Sequence, residues 1–214
     1  MEVRFERKWK TPRRFLKILE LALKKSSFEF KKHYEPRWVN SIYYDDMFNN
    51  SVYQNLDGNQ KKQKIRIRWY GKKNLILKPF IEIKKKTGFV VSKEKKEIYF
   101  TVSFLNKKSL QKLSSIIKKY YPLLINYNPV CSTHYLRSYY LSKDKNIRAT
   151  IDCDIGYFLI KNFQTDFVKK VDKNIVLELK YKKLLDNYVR KTFANKNNLR
   201  LSRNSKFINS FLNI

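Results

Sequence analysis

Glycine, cysteine and histidine are scarce in this chain of 214 residues, which holds four Gly, two Cys and two His. Cys131 and Cys153 fit no zinc or redox spacing and no disulfide framework. A reducing, cytoplasmic compartment is therefore the expectation. His33 and His134 stand apart, whereas metal sites cluster their ligands. There is no G-x-x-x-x-G-K-[ST] loop, no G-x-G-x-x-G turn and no kinase H-R-D or D-F-G set. Nor is there a Ser/His/Asp or Cys/His arrangement for nucleophilic catalysis. No apolar run approaches the roughly 18 residues that span a membrane. The opening MEVRFERKWK lacks the apolar centre of a signal peptide.

Acidic residues are also few. Eighteen Asp and Glu face 48 Lys and Arg, a net charge of +30. Such an excess favours polyanionic partners: nucleic acid, anionic lipid or polyphosphate. The competing reading is a solvated lysine surface. The chain is 43% hydrophobic and 15% aromatic, enough for a substantial core. No repeat and no Pro/Ser-rich linker interrupts it, so residues 1–214 are read as one domain. Gly58, Gly71, Gly88 and Gly156 each fit a turn.

Strand alternation carries more information, because successive side chains point to opposite faces. Arg4, Glu6 and Lys8 share a face opposite Val3, Phe5 and Trp9. Lys64, Arg66 and Arg68 oppose Ile65, Ile67 and Trp69. Glu82, Lys84 and Lys86 oppose Ile81 and Ile83. Arg148, Thr150 and Asp152 oppose Ile147, Ala149 and Ile151, and Glu178 and Lys180 oppose Leu177, Leu179 and Tyr181. Four helices are expected. One is capped by Thr11 with Pro12 at its first position and a stripe of Phe15, Ile18, Leu19 and Ala22. The others fall near 106–120, 182–193 and 204–213. If these helices cover the apolar strand faces, the charged faces look into a barrel; otherwise they meet solvent.

A lumen rich in cations is costly when empty, since each buried like charge loses hydration. An anion that fills it removes the cost, and a triphosphate is such an anion. Arg offers two-pronged donation to phosphate oxygens and Lys a compact point charge. Carboxylates among these cations make sense as ligands for Mg²⁺ or Mn²⁺ bridging phosphate oxygens. Phosphoryl transfer needs positioning, charge neutralisation and a metal rather than a protein nucleophile.

Nine segments, in order, resemble the triphosphate tunnel metalloenzymes (CYTH-like), and most of all their VTC-type polyphosphate polymerase branch. They are F-E-R-K-W (Phe5 to Trp9), S-I-Y-Y-D-D (Ser41 to Asp46), and Tyr53, Gly58 and K-I-R-I-R-W-Y-G (Lys64 to Gly71). I-E-I-K-K-K (Ile81 to Lys86), V-S-K-E-K (Val91 to Lys95) and Y-L-R-S-Y-Y around Arg137 follow. I-R-A-T-I-D around Arg148, V-L-E-L-K-Y (Val176 to Tyr181) and S-R-N-S-K-F (Ser202 to Phe207) complete the series. One departure stands out: many CYTH members open E-x-E-x-K, and here Arg4 occupies the place of the first Glu. That favours the polymerase branch and puts a second metal site in doubt.

The resemblance implies an α+β fold, mainly antiparallel: an eight-stranded triphosphate-tunnel β-barrel flanked by helices. It implies transfer of the terminal phosphate of ATP, or another nucleoside triphosphate, onto a growing polyphosphate chain. Lys8, Arg66, Arg68, Lys84, Lys93, Arg137, Arg148, Lys180 and Lys206 would hold phosphates. Arg66, Arg68, Lys84, Arg148 and Glu178 would form the catalytic set. Glu178 and Glu6 would hold Mn²⁺ or Mg²⁺, with Glu82 and Asp152 as further candidates for metal contact or for orienting Arg and Lys. The sequence ends soon after Lys206, without a transmembrane tail or an SPX-like sensor. Regulation or export would then fall to other chains, including a membrane-protein partner that could hold the protein at the inner face of a membrane. Two other readings stand beside this one: a hydrolase of the same fold acting on tripolyphosphate or a nucleoside triphosphate, and a non-catalytic module binding polyphosphate or RNA.

Overall fold

The structure, a computed structural model, describes residues 4–88, 90–103, 105–165 and 170–212. Its strands are β1 (Arg4–Pro12), β2 (Lys31–Asp45), β3 (Lys61–Tyr70), β4 (Ile76–Leu77), β5 (Phe80–Thr87) and β6 (Val90–Glu97). They continue with β7 (Thr101–Val102), β8 (Asn128–Leu141), β9 (Arg148–Lys161), β10 (Gln164–Thr165), β11 (Lys170–Val171) and β12 (Asn174–Lys182). The helices are α1 (Leu16–Lys25), α2 (Asn50–Leu56), α3 (Lys107–Tyr120), α4 (Asp186–Val189) and α5 (Lys206–Leu212). The ladders with assigned register are antiparallel throughout. The fold is thus α+β and mainly antiparallel, with eight strands on the main hydrogen-bonded path.

The chain divides into two compact units, each assembled from separate stretches of sequence. The first comprises residues 1–37, 135–155 and 172–204. Here β1, β12, β9 and β8 are neighbours in that order. Apolar residues of one sheet face (Trp9, Ile151, Leu177, Leu179) pack with Leu19 and Leu23 of α1 and with Val189 and Phe193 of the segment opened by α4. Arg7 falls on this apolar side of β1 and forks onto Asp186, with Nε and Nη2 each 2.6 Å from a carboxylate oxygen. Tyr181 Oη donates to the same carboxylate at 2.9 Å, pinning α4 to the strands.

The second unit comprises residues 38–134, 156–171 and 205–214. Within it β2, β3, β5 and β6 are successive neighbours, and β8 lies on the other side of β2. Helix α3 lays Leu110, Leu113 and Ile117 over Ile65, Ile67, Ile81 and Ile83. Its start is fixed by Asn106: the side chain accepts from the Ser109 N–H at 2.9 Å, while Ser109 Oγ accepts from the Asn106 N–H at 2.8 Å. A smaller cluster joins Tyr43, Val52, Cys131, Phe207 and Ile208.

Helices therefore cover the apolar strand face in each unit, as expected. The details differ in four places. Thr11 and Pro12 continue β1, a 3₁₀ turn over Arg13–Phe15 follows, and α1 begins only at Leu16 without a side-chain cap. Its buried face is Leu19 and Leu23, while Ile18 is 62% exposed. Helix α2 was not expected; its first N–H groups are satisfied by Asp46, which accepts from Asn50 at 3.0 Å, and by Asp45, which accepts from Ser51 at 3.0 Å and Val52 at 2.9 Å. Gly58, Gly71 and Gly88 take positive φ at turns, but Gly156 lies within β9, paired with Val171. Among the described residues, no helix is long and apolar enough to cross a membrane.

Candidate functional site

The charged face of the first unit is built row by row from strand register, since residues directly opposite in a ladder share a face. Glu6 lies opposite Lys180, which lies opposite Arg148. Lys8 lies opposite Glu178, which lies opposite Thr150. Lys10 lies opposite Val176, and Val176 opposite Asp152. Residues from the two ends of the chain thus come together because β1 pairs with β12.

Four of these side chains form a closed ring of alternating charge. Lys8 Nζ is 2.8 Å from Glu6 and 3.5 Å from Glu178. Lys180 Nζ is 2.8 Å from Glu178 and 3.3 Å from Glu6. Lys8 also donates to the Asn204 carbonyl at 3.3 Å. Burial by itself would raise the Glu178 carboxyl, but Lys180, Lys8 and Arg137 outweigh it and hold the group well below the usual carboxylate range. Glu6 is held down in the same sense: burial and the Glu178 charge push up, and Lys8 and Lys180 prevail. Both lysines are raised, because Glu178 and Glu6 outweigh the desolvation that would lower them. All four groups are ionised at neutral pH.

Beside this ring, Arg137 forks onto Asp152, with Nε and Nη2 at 2.6 and 2.8 Å. Asp152 is fully buried. Desolvation opposes the Arg137 charge, yet Asp152 lifts its pKa still further above the ordinary value. The fork fixes the guanidinium plane while leaving one terminal nitrogen outside the pair. Thr150, in the row of Lys8 and Glu178, has a buried hydroxyl without a hydrogen-bond partner among the described residues. An unsatisfied buried hydroxyl is costly unless something polar meets it.

The second unit carries its own charged face. Tyr43, Arg66, Glu82 and Lys95 stand in one cross-strand row, and Lys64, Lys84 and Lys93 in the next. Glu82 is the hub. It accepts from Arg66 Nε at 2.7 Å, lies 2.5 Å from Lys93 Nζ, and is 3.8 Å from Arg68 Nη1. Burial would raise its carboxyl, but Arg66, Arg68 and Lys93 bring it down to about 2. Arg68 is itself buried and donates to Ser41 Oγ at 3.2 Å. Arg66 Nη1 donates to Tyr43 Oη at 3.4 Å, and the Tyr43 ring stacks on Phe207 of α5 at 4.9 Å. Lys64 Nζ donates to Ser205 Oγ at 3.0 Å, just before α5. Lys64, Lys84 and Lys93 thus stand abreast on three neighbouring strands, with Lys93 held by Glu82.

Each expected cation is thus placed. Lys8, Arg137, Arg148 and Lys180 lie on the face of the first unit, with Glu6, Glu178 and Asp152. Arg66, Arg68, Lys84 and Lys93 lie on the face of the second, and Lys206 opens α5. Thr150 was placed on the charged face by its alternation with Arg148 and Asp152, as its register opposite Glu178 bears out. Ser41, Tyr43 and Ser205 lay inside the family-like segments without a role of their own; cross-strand register supplies it for Ser41 and Tyr43, and the Lys64 contact for Ser205. Within the S-I-Y-Y-D-D segment, Asp45 accepts from the first turn of α2, while Ser41 and Tyr43 meet Arg68 and Arg66.

Among the described residues, no group of three or more His, Cys, Asp or Glu gathers to form a protein-only metal site. Glu6 and Glu178 offer two carboxylates. That set suits an ion such as Mg²⁺, which binds through one or two carboxylates and takes its remaining ligands from water and substrate phosphates. The orphaned Thr150 hydroxyl in the same row fits a site whose remaining partners arrive with a ligand.

A model of the VTC domain family matches residues 3–213. No curated protein sequence matches the chain. Among solved structures, it is similar to a Hippeastrum protein assigned as an adenylyl cyclase and described as having a dominant triphosphatase activity. That match has a TM-score of 0.62 and 13% identity, covering 100% of this chain and 96% of that one. A Vibrio parahaemolyticus protein assigned as an adenylate cyclase gives 0.55 at 12% identity, covering 100% and 99%. A Pyrococcus furiosus protein of unassigned function gives 0.54 at 10% identity, covering 96% and 99%. At these identities the likeness is one of fold.

Proposed function

The chain belongs to the VTC domain family, and from that premise we propose that it is a metal-dependent polyphosphate polymerase drawing on ATP or another nucleoside triphosphate. The observation that carries this reading is the ring of Glu6, Lys8, Glu178 and Lys180. A module that only clamps anions gains nothing from two ionised carboxylates among its cations. A site that holds a divalent ion against phosphates needs them.

In the reaction, an oxygen of the terminal phosphate of a polyphosphate chain attacks the γ-phosphorus of the nucleotide. The new P–O bond forms as the bond to the β,γ-bridging oxygen breaks, and the nucleoside diphosphate leaves with the electron pair. The attacking oxygen is already anionic, so no general base is required. The residues of this chain therefore work by positioning and by charge. Lys8, Lys180, Arg137 and Arg148, and separately Arg66, Arg68, Lys84, Lys93 and Lys206, donate to phosphate oxygens. Glu82 and Asp152 keep Arg66 and Arg137 in one orientation. Glu6 and Glu178 would hold Mn²⁺ or Mg²⁺, which when bound neutralises charge on the transferred phosphate and the leaving group. The substrates are then a nucleoside triphosphate and polyphosphate, and a membrane-bound partner would take the product onward.

A hydrolytic reading is favoured by one observation, the dominant triphosphatase activity described for the similar Hippeastrum protein. One assay separates the two. Purified protein is incubated with ATP and Mn²⁺ or Mg²⁺, and long polyphosphate on a gel is compared with free phosphate. Polymer with little free phosphate is the expected result. Free phosphate alone would make the chain a hydrolase, and no turnover with tight polyphosphate binding would make it a binding module.

A further inference from the structure

Every residue of the first half of β2, Lys31 to Arg37, is exposed. This stretch nevertheless carries flat side chains that pack on one another. The Tyr34 ring meets Tyr139 of β8 edge to face, with centroids 5.8 Å apart at 85°. The Arg37 guanidinium lies 4.9 Å from the Tyr139 centroid and 5.5 Å from that of Tyr34. His33 adds a ring 4.0 Å from Tyr34. Nearby aromatic residues complete a core: Phe28 and Phe30 just before β2, and Tyr140 of β8. Tyr34 does not, being 54% exposed.

The position of this cluster matters. Tyr135, Arg137 and Tyr139 alternate along β8, so their side chains leave the same face of the strand. Arg137 is the guanidinium fixed by Asp152, on the face that carries Glu178 and Lys180. Two residues of strand separate Arg137 from Tyr139, about 7 Å, a gap of the kind that a ribose bridges between phosphate and base. Lys31 and Lys32, both exposed, keep the neighbourhood positive.

We propose that Tyr34, Arg37 and Tyr139 form a stacking platform for the base of a nucleoside triphosphate whose phosphates are held from Arg137 onward. The inference rests on the reading of that face as the site of a nucleoside triphosphate and adds where the base of that nucleotide lies. Stacking is sequence-tolerant because every base has a π-face. Stacking grows with ring area, so purines should exceed pyrimidines. The Arg37 guanidinium over the tyrosine rings keeps the platform rigid and adds cation–π attraction.

The experiment compares two ligands on the same protein. Dissociation constants for ATP and for inorganic tripolyphosphate are measured by calorimetry with Mg²⁺, for wild type, Tyr34→Ala and Tyr34→Phe. The expected result is that Tyr34→Ala weakens ATP about tenfold and leaves tripolyphosphate unchanged, while Tyr34→Phe behaves as wild type. Unchanged tripolyphosphate binding also shows that the variant is folded. An ATP-to-tripolyphosphate affinity ratio that is the same in wild type and Tyr34→Ala would overturn the platform. A protein that shows the expected ratio but makes no polymer would retain the platform and lose the polymerase reading, so the two failures are distinct.

Discussion

Arg66 Nε donates to Glu82 Oε2 at 2.7 Å, and Nη2 of the same guanidinium lies 2.5 Å from that oxygen. The two residues stand directly opposite each other on β3 and β5. Glu82 is only 3% exposed, so this carboxylate is an internal counter-ion for Arg66, Arg68 and Lys93.

Acid should therefore loosen the second unit. The Glu82 carboxyl falls from 4.5 to about 2 in the folded state. A depressed carboxyl contributes stability that is present above its unfolded pKa and lost as pH drops through the folded one. The window runs from about pH 4.5 down to about 2, and the contribution is roughly 3 kcal/mol. Urea unfolding at stepped pH should show stability declining across that window, and Glu82→Gln should flatten the decline. An unchanged slope in Glu82→Gln would remove this residue from the account.

Deleting the counter-ion should also expose the cost of the cations. Glu82→Ala leaves Arg66, Arg68 and Lys93 without their shared partner, and breaking such a buried pair costs about 3–5 kcal/mol. Bound tripolyphosphate should restore part of that loss. Its stabilising effect on the melting midpoint should be larger in the variant than in wild type. Equal shifts would mean that the anion does not reach these residues.

Glu178→Gln and Arg66→Ala should differ in kind. The first keeps size but removes a charge that a divalent ion needs, so turnover should fall by about 10²-fold or more. Metal-free affinity for polyphosphate should hold or rise, because a negative charge has left a positive face. The second removes a phosphate donor, so affinity and rate should fall together. Steady-state kinetics with ATP, alongside polyphosphate binding without metal, separate the two patterns. Identical behaviour would argue for simple anion binding.

Helix α3 should be a structural element alone. Leu113 is fully buried against the β3 and β5 isoleucines. Leu113→Ala should destabilise by about 2–5 kcal/mol, read by denaturant unfolding. At temperatures where the variant stays folded, kcat should match that of wild type.

Alternation along single strands was legible in the sequence: Lys64, Arg66 and Arg68 against Ile65, Ile67 and Trp69, or Glu178 and Lys180 against Leu177 and Leu179. The backbone of a strand fixes that periodicity locally, whatever it pairs with. The helix expected near 106–120 was legible for the same reason, since its apolar stripe recurs within a few residues; the cap by Asn106 was found only in the structure. The ring of Glu6, Lys8, Glu178 and Lys180 was not, because it depends on the register of β1 on β12, strands from opposite ends of the chain. A slip of one residue would turn Glu178 to the apolar face. The same holds for Arg137 on Asp152, for Arg7 on Asp186, and for the meeting of Tyr34 with Tyr139. Sequence decided which side chains share a face; only tertiary pairing decided which charge meets which, because a contact between distant segments is set by the packing of the whole sheet.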